Sequence, residues 1–538
     1  MHHAISLTER DTGTQTPAHV RMLAASLLLS GVFVATTLLL RPPLPIDETR
    51  YLTVAWEMWQ SGDRLVPHLN GEAYSHKPPL LFWLINAVWM IAGPSEWAAR
   101  LVPAMFMPAS VILTWRLGRM IEGPELGARA ALVLSSIAVF AVMGTAVLFD
   151  AMLTTAVLLA LIGLVNAGQG SLLRGMGLLA IALGIGALAK GPVILVHTLP
   201  AALLAPLWLP GEKRSWTAWY LGLLGALAAG TAIGLCWAIP AAMAGGSKFG
   251  ELILWEQSSG RVVSAFAHKR PFWFYLPLLP MLLFPWVLSR RIWGNPAGWL
   301  AGSRLWRLPL IVVVADFVLF SAISSKQIHY LLPALPAAAL LLAHKLGPDV
   351  DEAPAEDGFY LFFALGGAGV LVALLVAPRF YPAFPPIHPE VGIVLMTLAA
   401  PAWWLRHSLL RVAPLASLAL VLIAHVEGRF TVLPSHDLRW IDARLKRATS
   451  IAVVGGYQGE FGFGARLDRP VTVLKPYQVT AWRREHPHGA IVSFYKERDR
   501  NLDGQPLVAH PYRGGWLGLW APVEPSDAVQ EDDAPAPR

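Results

Sequence analysis

The sequence predicts a mainly α-helical, polytopic membrane protein that ends in a small α/β or β domain outside the bilayer. Three observations predict it. Of the 538 residues, 55% are hydrophobic and only 14% are charged, with a mean hydropathy of +0.51. Apolar runs near the roughly 20 residues needed by a membrane-crossing helix recur between positions 22 and 426. After Glu427 the pattern changes to short apolar runs, such as 451–454 and 471–474, separated by glycine, proline and charged residues. The first observation excludes an ordinary soluble enzyme, and the second excludes a transmembrane barrel, whose strands are alternating segments of about 10 residues. A single cysteine, Cys236, excludes an intrachain disulfide framework and a thiolate-rich metal centre. The net charge of +7 does not indicate nucleic acid, because the Lys and Arg residues form no dense cluster interleaved with exposed aromatics.

The elements follow in order. Residues 1–21 form a polar tail, and the run after it is too long for a signal-peptide core and has no clear cleavage site, so it reads as a retained anchor. The membrane domain, 22–426, holds about 13 spans, at 22–40, 97–116, 130–147, 151–168, 173–189, 191–209, 218–243, 272–288, 308–324, 330–344, 359–377, 391–405 and 412–426. The run 79–92 is too short to cross and reads as an interfacial helix beside a large loop over 41–79. Arg116, Arg119, Arg129, Arg174, Lys213, Arg214, Arg290, Arg291, Arg304, Arg307, Arg406 and Arg411 fall in loops on one side, which the positive-inside rule makes cytoplasmic. The tail 1–21 is then inside. The loops 41–79, 244–271 and 324–329 and the domain 427–523 are outside, and the acidic, Pro- and Ala-rich end, 524–538, is expected to be disordered. Lys77, Lys269, Arg270 and Lys326 break the charge rule on the outer side, and an anionic substrate at that surface would explain them.

Chemistry concentrates on that face. Asp47 and Glu48 follow the first span, where they suit either a helix N-terminus or acid-base work. Asp150 interrupts a long apolar stretch, either as a turn residue at the interface or as an acid that converges with Asp47 in one cavity. In Tyr74-Ser75-His76-Lys77-Pro78-Pro79, the ammonium of Lys77 either snorkels or meets a phosphate oxygen, and His76 is an available metal ligand. His268-Lys269-Arg270-Pro271-Phe272-Trp273 is a second basic and aromatic edge, and Lys326, His329 and Tyr330 make a third. Such edges anchor spans. With Lys77 they would also close a cationic pocket for a lipid phosphate, with apolar helices below for its tail.

The composite Asp47-Glu48-Thr49-Arg50-Tyr51, Ser61-Gly62-Asp63, Pro67-His68-Leu69-Asn70-Gly71 and Lys77-Pro78-Pro79 resembles the first external loop of the bacterial aminoarabinose transferases and of the wider protein O-mannosyltransferase-like group. The resemblance continues through Asp150, Pro271-Phe272-Trp273 and the stretch from Lys326 to Pro333, and more weakly through Tyr457-Gln458-Gly459-Glu460-Phe461 and the segment from Ala465 to Pro470. It implies a GT-C glycosyltransferase of a bacterial inner membrane. Such an enzyme takes a sugar from a polyprenyl-phosphate carrier on the periplasmic face and passes it, with inversion, to a lipid or protein acceptor, with no nucleotide cofactor. By motif position Asp47 and Asp150 are the two catalytic acids, Lys77 contacts the carrier phosphate and Tyr330 lies near it. Glu48, Arg50, Tyr74, Lys269, Arg270, Lys326 and His329 complete the expected substrate contacts. His76 stands where the aminoarabinose enzymes usually have a glutamate, and His268 occupies the position of a metal-binding histidine, which leaves room for a divalent ion such as zinc between these two. The competing reading is a transporter or lipid flippase that uses the same acids for proton or ion coupling.

Overall fold

The computed structural model describes residues 16–209, 215–254, 270–294, 303–348, 354–380, 387–496, 502 and 506–520. His268 and Lys269, most of the expected polar N-terminal tail and the acidic C-terminal end lie outside them. The chain is mainly helical. Among the described residues eight helices are long and apolar enough to cross a membrane, or nine if the bent pair Pro124–Ser135 and Ala138–Gly144, kinked by 69°, is one span. Three other expected spans take different forms, and a further two merge into one of the eight, Leu172–Leu203. Residues 272–288 carry Pro271, Pro277, Pro280 and Pro285 in or beside them, each without an N–H to give, and fold into turns with short pieces at Leu279–Leu282 and Trp286–Leu288. Residues 330–344 begin in a 3-10 segment, Ile328–Ala334, and continue as Leu335–Leu346, again around prolines, Pro333 and Pro336. Residues 391–405 fall within the 16-residue helix Pro389–Trp404. The pair 173–189 and 191–209 becomes Leu172–Lys190 and Ile194–Leu203, joined by a break at Gly191, whose φ is +78°.

Asp150–Gly168 is the central helix of the bundle, buried along most of its length. Its neighbour Leu172–Lys190 lies against it with only glycines between them: a Cβ on Gly175 would stand 2.3 Å from the Ala167 nitrogen and 2.5 Å from the Gly163 oxygen. Small residues thereby substitute close backbone packing for the hydrophobic drive that lipid does not supply.

The loop after the first span is folded into a helix, a hairpin and a second helix. Asp47–Ser61 is an amphipathic helix closed by Gly62 at φ +71°. A two-stranded hairpin follows, β1 (His68–Leu69) and β2 (Glu72–Ala73), with Asn70 and Gly71 both at positive φ, the backbone a two-residue hairpin turn requires. Leu80–Ala92 then forms the expected short apolar helix, 13 residues or about 20 Å long, which is less than a bilayer core.

The C-terminal domain resolves the α/β-or-β alternative in favour of α/β. Its five-stranded sheet has the order β4-β3-β5-β7-β6, with β3 (Ile451–Val454) parallel to β4 (Thr472–Leu474) and to β5 (Ala490–Tyr495), and β7 (Gly515–Trp520) antiparallel to β5 and to β6 (Val508–Tyr512). Helices Arg439–Arg447 and Val479–Glu485 cover it through Ile441, Leu445, Val479 and Trp482.

Candidate active site

The N-cap of the Asp47–Ser61 helix is Ile46, and no side chain caps it. Asp47 and Glu48 occupy the first turn, where the helix dipole favours carboxylates, yet their surroundings differ. Asp47 is open, its side chain 47% exposed, and it accepts from the Tyr51 hydroxyl at 3.3 Å with the Arg50 guanidinium at 3.7 Å. Burial, and next the Asp47 carboxylate, push the Tyr51 hydroxyl well above its ordinary range, so it stays a donor to Asp47. Glu48 points inward instead. It is buried against Arg41 and accepts from the Val147 N–H at 3.2 Å. Arg100 completes this base by donating to the carbonyls of Thr37 at 2.9 Å and Arg41 at 2.6 Å. Glu48 therefore fixes the path of the chain three residues before Asp150 and does not line the cavity described below.

Asp150 opens the central helix and is 2% exposed. It meets Lys190 Nζ at 2.5 Å and His329 Nε2 at 3.9 Å. Lys190 sits over the ring of Tyr330, 4.8 Å from its centroid, and Lys77 over the ring of Phe149 at 5.7 Å. Phe149 in turn packs edge-on against Tyr51 at 4.9 Å and Phe82 at 5.7 Å, so the aromatic cluster holds the Asp47 helix against the start of the Asp150 helix. His329 reports the grouping: burial first pushes its imidazole down, Asp150 and Asp47 pull it up, and Lys190 and Lys77 add to the downward push. The two acids, separated by a hundred positions, and the two lysines thus all lie close enough to His329 to act on its charge.

Beside this cluster a cavity of about 270 Å³ opens between the Leu172–Lys190 and Trp216–Ala244 helices. Ser75, His76, Lys77 and Lys190 form its polar end; Leu183, Leu227 and Leu235 are among the apolar side chains lining the rest. A charged mouth on a greasy slot suits an anionic head group with a hydrocarbon tail.

Tyr330 and His329 belong to the cluster through Lys190 and Asp150. Tyr74 is buried, its ring 5.2 Å from that of His76. Lys326 is buried and donates to the carbonyls of Ile323 and, at 3.2 Å, Arg270; burial lowers its affinity for a proton. Its ammonium ties two outer segments together, and the Arg270 guanidinium lies over Phe274 at 5.8 Å. Arg50 bonds Gln458 of the C-terminal domain through its carbonyl and its side chain. Lys190 was not expected from the sequence, although a lone cation ending an apolar run before Gly191-Pro192 marks it in retrospect.

For a divalent ion, His76 is one imidazole at a cavity end shared with the cations Lys77 and Lys190, a donor set that disfavours a metal by itself. Among the described residues no group of three or more His, Cys, Asp or Glu side chains is arranged to hold one, and His268 lies outside them.

The first loop is also clamped from above. Thr53 donates to the Gly459 carbonyl at 2.8 Å and accepts from the Phe463 N–H at 3.0 Å, while Trp56 donates to Leu467 at 2.8 Å. Asn70 exchanges bonds with Val471 at 3.1 and 2.8 Å. Phe463 stacks on Trp89 at 5.3 Å, with the Arg466 guanidinium 3.8 Å from the Phe463 centroid. A small pocket of about 30 Å³ at the same seam gathers Glu96, Asp437, Asp442 and Glu460 beside Arg439. Burial, then Asp437 and Glu96, push the Asp442 carboxyl up to about 7.

Residues 76–237 match the family model of dolichyl-phosphate-mannose-protein mannosyltransferases. The undecaprenyl phosphate-alpha-4-amino-4-deoxy-L-arabinose arabinosyl transferase of Edwardsiella ictaluri is 30% identical over 375 residues, 66% of this chain and 66% of the relative. The first such enzyme of Sodalis glossinidius is 33% identical over 352 residues, 62% and 60% of the two chains. The matched part is therefore just under two thirds of these relatives' own length. The crystal structure of ArnT from Cupriavidus metallidurans bound to undecaprenyl phosphate superposes with a TM-score of 0.71 at 19% identity, covering 93% of this chain and 97% of that one. The chain has that fold, and the resemblance carried by the first-loop motif extends over most of its length.

Proposed function

We propose that this chain, folded as a GT-C transferase and similar in sequence to the aminoarabinose transferases, is an inverting glycosyltransferase that moves a sugar from a polyprenyl-phosphate carrier to a lipid acceptor at the periplasmic face of a bacterial inner membrane. The observation that carries the reading is the pairing of the Lys77 and Lys190 mouth with an apolar slot, next to an open carboxylate at Asp47. A phosphate docked there leaves its sugar facing the first loop.

The bonds exchanged set what each residue must do. The acceptor oxygen bonds to the anomeric carbon from the side opposite the phosphate, the carbon–phosphate oxygen bond breaks, and polyprenyl phosphate departs with the electron pair. Lys77 and Lys190 stabilise the charge that develops on the leaving phosphate. Asp47, exposed and held by Tyr51 and Arg50, takes the proton of a hydroxyl acceptor; for a phosphate acceptor, already ionised, it orients the nucleophile. Asp150 is too buried to meet an acceptor directly and acts by holding Lys190 and His329 at the mouth.

The test is to incubate the purified protein in nanodiscs with a panel of polyprenyl-phosphate sugars and lipid or protein acceptors, beside Asp47→Asn and Asp150→Asn. Sugar transfer by the wild type, and a loss of roughly 100-fold or more in Asp47→Asn, are expected for a lost general base. Unchanged product in both variants would overturn the assignment, glycosylation of the protein acceptors alone would move the acceptor class, and lipid movement without a glycosylated product would favour a flippase.

A further inference from the structure

Away from the cavity, two titratable side chains face one another where no water reaches. His197, on the Ile194–Leu203 helix, and Asp316, on the Arg307–Ala322 helix, are both 0% exposed and joined by a hydrogen bond of 2.7 Å from Nδ1 to Oδ2. The other polar atom of each, His197 Nε2 and Asp316 Oδ1, has no hydrogen-bond partner among the described residues. Polar groups inside membrane helices are costly, and an apolar pair of similar volume would pack there at less cost. The bond supplies direction that an apolar contact lacks.

What it directs is visible in the packing. One turn along from Asp316, Phe320 lies 5.1 Å from the His197 ring and 6.0 Å from Tyr330. Tyr330 is the ring beneath Lys190, at 4.8 Å, and Lys190 holds Asp150 at 2.5 Å. The helix that carries His197 begins directly after the Lys190-Gly191-Pro192 corner, and its Ile194 and Leu195 line the cavity. Both routes from the pair end at the same ammonium.

We propose that the His197–Asp316 bond is a positioning device for the cationic mouth: it sets the docking of two membrane helices and, through Phe320 and Tyr330, the place where Lys190 meets the carrier phosphate. The inference deepens the proposed transfer reaction and rests on it for its meaning in catalysis. His197 and Asp316 touch neither carrier nor acceptor; they act through Lys190.

The full-length protein in nanodiscs tests it with two variants. The double variant His197→Phe plus Asp316→Leu removes both polar ends, so the fold is retained, as a monodisperse elution peak and an unlowered thermal midpoint will verify. Asp316→Asn keeps an acceptor for the histidine. In the double variant the KM for polyprenyl-phosphate sugar should rise about tenfold with a smaller change in kcat, and labelling of Lys190 by an amine-reactive reagent, read by mass spectrometry, should rise severalfold. Asp316→Asn should stay within about twofold of wild type on both readouts. A folded double variant with unchanged KM and labelling would overturn the proposal, as would an Asn variant as impaired as the double. If the wild type transfers no sugar, the proposed reaction falls, while Lys190 labelling still decides whether the buried pair positions the lysine.

Discussion

Replacing Lys190 with methionine should be more damaging than replacing Asp150 with asparagine, and replacing both should be milder than the first alone. The pair is nearly dry, with side-chain exposures of 11% for Lys190 and 3% for Asp150. Removing one member of such a pair costs roughly 3–5 kcal/mol because it strands a buried charge. The two single losses are unequal. Lys190→Met leaves the Asp150 carboxylate with His329, at 3.9 Å, as its nearest ion partner among the described residues and Lys77 farther off, and burial holds that imidazole toward its neutral form. Asp150→Asn leaves the ammonium at a cavity mouth over the Tyr330 ring, where a cation–π contact retains about 0.5–2 kcal/mol. The double variant removes both charges and should recover most of the loss. Thermal midpoints of the four proteins in one detergent, arranged as a double-mutant cycle, measure the coupling directly. Midpoints that simply add, or a Lys190→Met protein as stable as wild type, would show that the pair does not hold the corner in place.

The Asp442 carboxyl, raised from an ordinary value near 3.8 to about 7, makes the folded chain bind more protons than the unfolded chain between those values. Its contribution is therefore lost as pH rises through about 7, and thermal midpoints should fall from pH 5.5 to pH 8, with a flatter profile in Asp442→Asn. Gly462→Ala places a Cβ 2.5 Å from Thr53 Cγ2 and 2.7 Å from the Tyr457 hydroxyl; this overpacking of roughly 1–3 kcal/mol should loosen the C-terminal domain, seen as faster limited proteolysis in its connecting segment with the membrane helices intact. In a background with Cys236 replaced, a membrane-impermeant maleimide should label Glu72→Cys from the periplasmic side and leave Arg174→Cys untouched in intact spheroplasts; the reverse pattern would invert the orientation.

Legibility from the sequence followed the kind of signal each element carries. The strand at 451–454 was readable because a buried parallel strand is a short apolar run between turn residues, and the largely exposed edge strand at 472–474 because its β-branched run is likewise bounded by turn residues. The Asn70-Gly71 hairpin was missed, although Asn-Gly is the pair that most readily takes the positive φ a two-residue turn demands at both positions. Composition misled over 272–288, where hydropathy counts proline as neutral filler while the backbone loses a donor at each one. Lys190 was hidden by a different cause. It sits forty positions from Asp150 at a break between two helical pieces, and only the fold brings the two ends together. Arg41 was hidden likewise: it looked like the first residue of a loop, and its buried pairing with Glu48 depends on how the loop folds back over the first span.

The two acids end in different environments because different parts of the chain hold them. Asp150 is fixed from within the membrane domain, by a helix end, a lysine at a neighbouring helix end and a base of buried charges that includes Glu48. Asp47 stands on a loop helix that would be free to tilt if only its apolar face rested on the bundle. It is held because the opposite face is covered: Thr53 bonds Gly459 and Phe463, Trp56 bonds Leu467, and Arg50, beside Asp47 itself, bonds Gln458. A base must remain exposed to reach an acceptor, so it cannot be immobilised by burying its own carboxylate. Clamping the helix one and two turns further along satisfies both demands, so in the proposed reaction the C-terminal domain would serve to position Asp47.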